Sequence, residues 1–186
     1  MKSLAWTSRD LEMMPDDGKL YEIVDGELYV SKQPHYYHQH LCLRLGGLLD
    51  AWCLQTGGGE VNAAPGLIFG ENDDVAPDLV WNSRERLAAA LKEDGNLHVA
   101  PELAVEVLSP GMTNEYRDRE IKLKLYSQHG VSEYWIVSWR ERRIEVYRRL
   151  ESVLTLVSTL YENDTLQSPL LPGFACQVSK LFIGIR

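Results

Sequence analysis

The chain has 186 residues, 45% of them hydrophobic and 25% charged, a balance that excludes a disordered or fibrous polypeptide and suits one globular domain over residues 1–186. A chain of this size buries roughly 70% of the surface its unfolded form exposes, enough for a core without disulfides or a structural metal. Lys plus Arg 19 against Asp plus Glu 27 gives a net charge of −8, which argues against tight nucleic-acid binding through overall charge but leaves room for a local basic surface.

In chain order, Thr7 or Ser8 caps a short helix that Pro15 and the Pro-Asp-Asp-Gly run terminate, and Tyr21 to Lys32 reads as two strands about an Asp25-Gly26 turn. From Tyr36 to Leu54, Leu41, Leu45, Leu48, Leu49 and Trp52 recur at steps of three and four, an amphipathic helix ended by Thr56 and the Gly57-Gly58-Gly59 run. Gly66 to Phe69, Asp78 to Trp81, Leu103 to Leu108, Glu133 to Trp139 and Ile144 to Leu150 are strands, several of them continuous apolar runs suited to a buried central position. A helix from Asn114 to Gln128, stopped by Gly130, links the third and fourth of these in one crossover unit. Trp139 to Ile144 is a turn, Val153 to Leu160 an edge strand, and Phe174 to Phe182 a short closing element. The sum is an α/β fold with a mixed central sheet flanked by helices.

Three cysteines, Cys42, Cys53 and Cys176, lie at wide spacings without a Cys-x-x-Cys pair, which fits a reducing cytoplasm. The longest apolar runs are far shorter than the roughly 20 residues of a membrane helix, and the first residues lack a basic start followed by an apolar stretch. Neither membrane nor secretion is expected. Between Arg140 and Arg149 five arginines face Glu141 and Glu145, a stretch of charge +3 that reads first as a solvated hairpin and second as a phosphate contact.

Two apolar strands each carry one acid, Asp78 in Ala76-Pro77-Asp78-Leu79-Val80-Trp81 and Glu106 in Leu103-Ala104-Val105-Glu106-Val107-Leu108. A carboxylate among apolar neighbours is costly to desolvate, so it sits at a strand end, pairs with a cation or binds a metal. Two such acids on neighbouring strands could hold Mg²⁺ with waters and a substrate phosphate. On the following helix, at about 100° per residue, Asp118, Leu125, Tyr126, Glu115 and His129 fall within about 60° of Lys122, whereas Lys124 lies on the opposite side. Lys122 therefore has two readings: an inward charge that stabilises a phosphoryl group or orients water, or half of an i, i+4 pair with Asp118. His35, His38 and His40, at spacings of three and two, do not all share one helical face and read as surface or capping residues. Cys42 and Cys53 read as buried structural thiols.

Glu22-Ile23-Val24-Asp25-Gly26-Glu27-Leu28, Ala76-Pro77-Asp78-Leu79-Val80, Val105-Glu106-Val107-Leu108-Ser109-Pro110, Asp118 through Lys122 to Tyr126, Gly130-Val131-Ser132-Glu133-Tyr134-Trp135-Ile136-Val137 and Leu171-Pro172-Gly173-Phe174, in that order, resemble the Uma-type family of restriction-endonuclease-like proteins, a branch of the PD-(D/E)xK nuclease superfamily. The resemblance implies a restriction-endonuclease-like core and Mg²⁺- or Mn²⁺-dependent hydrolysis of DNA. It implies Asp78 and Glu106 as metal ligands, the Val107 carbonyl as a third, Glu22 as an added ligand or water contact, and a homodimer that cuts both strands. In the superfamily a lysine stands two residues after the Glu; here that residue is Leu108, and the resemblance implies that Lys122 on the next helix takes its place. Where the family often carries Asp after Tyr-Trp-Ile-Val, this chain has Ser138. The rival expectation is a non-catalytic binding or assembly protein on the same scaffold, because a fold does not guarantee activity.

Overall fold

The computed structural model describes residues 5–186, so the reading of the first residues lies partly outside the described part. The elements, in order, are α1 (Ser8–Leu11), β1 (Leu20–Val24), β2 (Glu27–Ser31), α2 (Tyr36–Thr56), β3 (Glu60–Ala63), β4 (Leu67–Gly70), β5 (Asp73–Val75), β6 (Leu79–Asn82), α3 (Arg84–Ala90), β7 (Leu103–Val107), α4 (Met112–Tyr116), a π-helical turn (Arg117–Ile121), α5 (Lys122–His129), β8 (Glu133–Ser138), β9 (Arg143–Leu150), β10 (Val153–Leu160), β11 (Thr165–Leu166), β12 (Cys176–Gln177) and α6 (Val178–Leu181).

Six strands form the central sheet in the order β10-β9-β8-β7-β6-β3, and four form a smaller sheet in the order β2-β1-β5-β4. The β7–β8 pair is parallel and joined by the α4–π–α5 crossover, whereas the other neighbours in both sheets are antiparallel. The mixed sheet expected from the sequence is thus present. The strands β3 and β5 and the helix α3 are additions; their short polar or charged stretches, such as Asp73-Asp74-Val75, carry too few alternating apolar residues to announce a strand.

Side-chain alternation divides the core. Leu79, Trp81, Leu103, Val105, Val107, Trp135 and Val137 pack with Leu41, Leu45, Leu49 and Trp52 of α2. The intervening Val80, Ala104, Tyr134 and Ile136 pack with Leu125 and Tyr126 of α5 and with Val24 and Val75 of the smaller sheet. This period of two sends Glu106, which lies between Val105 and Val107, toward α5. Both long helices stop as the sequence indicates, with Gly57 after α2 at φ 67 and Gly130 after α5 at φ 91, a left-handed conformation that glycine adopts without a Cβ clash. Among the described residues, no helix is long and apolar enough to cross a membrane.

The arginine-rich hairpin differs from the solvated edge expected. Arg143 bonds Glu141 and Glu145 at 3.1 and 2.8 Å, Arg142 bonds Glu162 at 2.6 Å, and Arg148 bonds the buried Glu133 at 3.2 Å. Arg149 donates to the carbonyls of Val131, Ser127 and Ser152 at 2.8, 2.7 and 2.8 Å. For Arg142 and Arg148 the partner acids lie outside the stretch, invisible to a local charge count, whereas Arg143 is held by the local Glu141 and Glu145.

Candidate active site

The antiparallel register pairs Leu79 with Val105, so Asp78 and Glu106, one step further on each chain, face each other at one end of the β6–β7 pair. Together with Glu22, His38, Val107, Arg117, Asp118 and Lys122 they line a cleft of about 200 Å³ between the two sheets and the N-terminal end of α2. Larger hollows of about 450 Å³ lie elsewhere on the surface, but neither includes Asp78 or Glu106.

Lys122 is the centre of this arrangement. Its Nζ donates to Glu106 Oε1 at 2.9 Å and lies 2.8 Å from Glu22 Oε1, with the side chain only 1% exposed. Glu106 Oε1 also accepts from Tyr126 at 2.9 Å. Glu22 Oε1 accepts the Ala76 N–H at 3.0 Å, while its buried Oε2 has no hydrogen bond and lies 3.4 Å from Arg117. Asp78 Oδ2 accepts the Val107 N–H at 2.7 Å and stands 3.1 Å from His38 Nε2. Lys122 thus reaches the strand acids rather than forming a solvent-side pair with Asp118, and Lys124 is exposed on the far side of α5.

The π turn changes which residues reach the cleft. In an α-helix, residues five apart stand about 140° apart around the axis, which would turn Arg117 away from Lys122. Here the Lys122 N–H bonds the Arg117 carbonyl, and the Asp118 carbonyl accepts the Tyr134 hydroxyl at 2.9 Å. One wider turn therefore presents Arg117, Asp118 and Lys122 to the same cleft. Arg117 donates through Nε to Asp118 at 3.2 Å and through its NH1 nitrogen to Ser31. Glu115 and His129, which a uniform helical phase puts on this face, do not line the cleft; His129 stacks on Phe69 with centroids 4.0 Å apart.

Electrostatics follow from burial. Desolvation pushes the Glu106 carboxyl well above its ordinary range; the Lys122 ammonium opposes this, and Asp78, Asp118 and Glu22 reinforce it. Burial likewise raises Asp118 to about 6, against the pull of Lys122 and Arg117. For Asp78 burial acts upward but is outweighed by His38 and the Val107 N–H, so its carboxyl stays below the ordinary range. Burial disfavours the Lys122 ammonium, yet Glu106, Glu22 and Asp118 more than compensate and hold it protonated. Four carboxylates, Glu22, Asp78, Glu106 and Asp118, face two obligate cations, Arg117 and Lys122. That surplus of negative oxygen, together with the unbonded Glu22 Oε2, suits a hard divalent cation. Asp78 and Glu106 could hold such an ion, with Glu22 and Val107 lining the same cleft.

Residues 8–179 match the Uma2 family, described as putative restriction endonuclease. The chain is a member of the Uma2 family. A solved structure described as a putative nuclease belonging to DUF820 from Anabaena variabilis superposes on this Uma2 protein with a TM-score of 0.75 at 16% identity, covering 95% of this chain and 97% of that one, which shows a shared fold. The type IIG restriction endonuclease BpuSI is also similar, with a TM-score of 0.42 and 16% identity, covering 82% of this chain and 16% of that one. No curated protein matches significantly.

Two residues of the Uma2 cleft escaped the sequence reading. His35 does cap α2, accepting the Tyr37 N–H at 3.2 Å, but His38 is 6% exposed and faces Asp78, contrary to a surface role. Its i, i+3 and i, i+7 relation to Leu41 and Leu45 put it on the apolar stripe of α2, a signal masked by treating the three histidines as one group. Arg117 was hidden by the π turn, which no local pattern announces.

Proposed function

We propose that this Uma2 protein is a metal-dependent endonuclease that hydrolyses DNA phosphodiester bonds with Mg²⁺ or Mn²⁺. The observation that carries the reading is the buried contact of Lys122 Nζ with both Glu106 and Glu22, beside Asp78, in one cleft. A divalent ion in such a site lowers the pKa of a bound water and offsets charge on the leaving oxygen. Asp78 and Glu106 serve as its protein ligands and the Val107 carbonyl as a third. Lys122, fixed by two carboxylates, supplies a preorganised positive charge toward the phosphate and hydrogen-bonds the attacking water. Glu22 holds that ammonium in place, and Arg117 adds a second cation at the same wall.

Family membership and the similar fold support hydrolysis of nucleic acid. The net charge of −8 favours weak, unspecific DNA contact, or the alternative of a catalytically inactive module for nucleic-acid binding or assembly. Incubation of supercoiled, linear and single-stranded DNA with protein and Mn²⁺ decides between them. The endonuclease reading expects cleavage by wild type and none by Asp78→Ala or Glu106→Ala; equal background from all three proteins sinks it.

A further inference from the structure

Helix α2 places His38 and Cys42 one turn apart on one face, directed at the strand end that carries Asp78. His38 Nε2 lies 3.1 Å from Asp78 Oδ2, Cys42 Sγ lies 3.7 Å from His38 Nδ1, and one ligand atom from each of the three residues falls within 4.8 Å of the others. His38 and Cys42 are 6% and 8% exposed, whereas the Asp78 side chain retains 20%, so the group opens to the cleft through the carboxylate. One nitrogen, one sulfur and one oxygen are not a set that Mg²⁺ takes, because it demands oxygen ligands and keeps its waters. Soft and borderline ions take that set, and three protein ligands with one open position is a zinc arrangement.

We propose that His38, Cys42 and Asp78 form a second site, selective for Zn²⁺, that shares Asp78 with the hydrolytic site, so that Zn²⁺ in one excludes Mg²⁺ or Mn²⁺ from the other. The exclusion rests on Asp78 being a ligand for the catalytic ion; the zinc site does not. Binding breaks the Cys42 S–H bond and forms a Zn–S bond, with the proton released to solvent and no change of oxidation state. Cys42 takes no part in the oxygen-ligand site, so the two functions of Asp78 can be separated by substitution.

The test uses Co²⁺ as a spectroscopic stand-in for Zn²⁺, with Zn²⁺ and Mn²⁺ titrations on the same full-length proteins. Wild type should give a near-ultraviolet thiolate-to-cobalt band that disappears in Cys42→Ala and persists in Cys53→Ala and Cys176→Ala. Zn²⁺ affinity should fall at least about tenfold in Cys42→Ala and in His38→Gln, the scale of losing one ligand or its close support. Mn²⁺ binding to Cys42→Ala should stay as in wild type, and wild type preloaded with one equivalent of Zn²⁺ should no longer take up Mn²⁺. Cys42→Ser replaces the alanine variant if melting shows that Cys42→Ala does not fold. A cobalt complex without the thiolate band, or equal Zn²⁺ affinity in wild type and Cys42→Ala, overturns the site. Undiminished Mn²⁺ uptake by the zinc-loaded protein overturns the sharing of Asp78. A thiolate band from a protein that binds no Mn²⁺ supports the zinc site while removing the endonuclease reading.

Discussion

Arg117 and Lys122 are five residues apart and line one cleft because the Lys122 N–H bonds the Arg117 carbonyl. The wider turn leaves the Asp118 carbonyl to the buried Tyr134 hydroxyl at 2.9 Å. Tyr134→Phe removes that donor and strands a buried acceptor, which costs about 1–3 kcal/mol. Calorimetric melting should register the loss, and cleavage should fall with it as Arg117 and Lys122 lose their common alignment. A variant with wild-type melting and rate would show that the turn is held by other forces.

Lys122 and Lys124 should behave oppositely. Lys122→Met leaves Glu22 and Glu106 buried without their shared cation, a change of about 3–5 kcal/mol. The fold therefore weakens along with a cleavage loss on the order of 10²-fold. A purely local pair of Lys122 with Asp118 would have cost only about 0.3–0.5 kcal/mol. Lys124→Ala, at an exposed position, should match wild type in both melting and rate.

The two strand acids should respond to neutralisation with opposite signs. Glu106 is raised in the fold, so its contribution to stability is present at low pH and lost as pH rises; Glu106→Gln removes that loss and should raise the metal-free melting temperature by a few degrees at neutral pH. Asp78 is lowered, contributes stability above its unfolded pKa and loses it on acidification, so Asp78→Asn should melt lower than wild type. Both variants should fail to bind Mn²⁺ in calorimetric titration. Equal thermal shifts would show that the burial and hydrogen-bond contrast between the two carboxyls is wrong.

Asp118 adds a pH dependence of its own. Its carboxyl rises from an ordinary 3.8 to about 6 in the fold. The protonated form is therefore favoured by folding, and stability present below about pH 4 is lost as pH climbs through about 6, by on the order of 2–3 kcal/mol. Urea titrations between pH 4 and 7 should show wild type declining relative to Asp118→Asn. Parallel curves for the two proteins would remove Asp118 as the cause.

We propose the outer strand pair β9–β10 as the contact surface of the homodimer that the family resemblance implies. Strand β10 is the edge of the central sheet; its Val153, Leu156 and Val157 are 55%, 47% and 39% exposed, and Leu150 at the end of β9 is 55% exposed. An unpaired apolar edge favours pairing with a second chain. Sedimentation at micromolar concentration should give a dimer, and Leu156→Lys should give a monomer; a wild-type monomer ends the claim.

The strands β6, β7 and β8 were legible because each is a short continuous apolar run, and the crossover because a helical period lies between two of them. The position of Lys122 was legible for the same reason, as the cation lying within the apolar arc of α5. Its partners were less so: nothing near Glu22 tells that it meets a lysine 100 residues later, and only the family motif singled it out. His38 and Arg117 required tertiary facts, a strand end packed on α2 and a turn of unusual pitch. Two of the hairpin arginines were misjudged for the same cause, since Glu162 and Glu133 pair with Arg142 and Arg148 from other segments.

Glu22 belongs to the smaller sheet, Glu106 to the larger one, and a single ammonium joins them. Lys122 is therefore a rivet as well as the charge we propose for catalysis. No substitution there can alter one property alone, so a search for faster variants at this position would be filtered first by which chains still hold their two sheets together. Freedom to tune the rate lies instead at the cleft wall, at His38 and Arg117, where the partners belong to fewer layers.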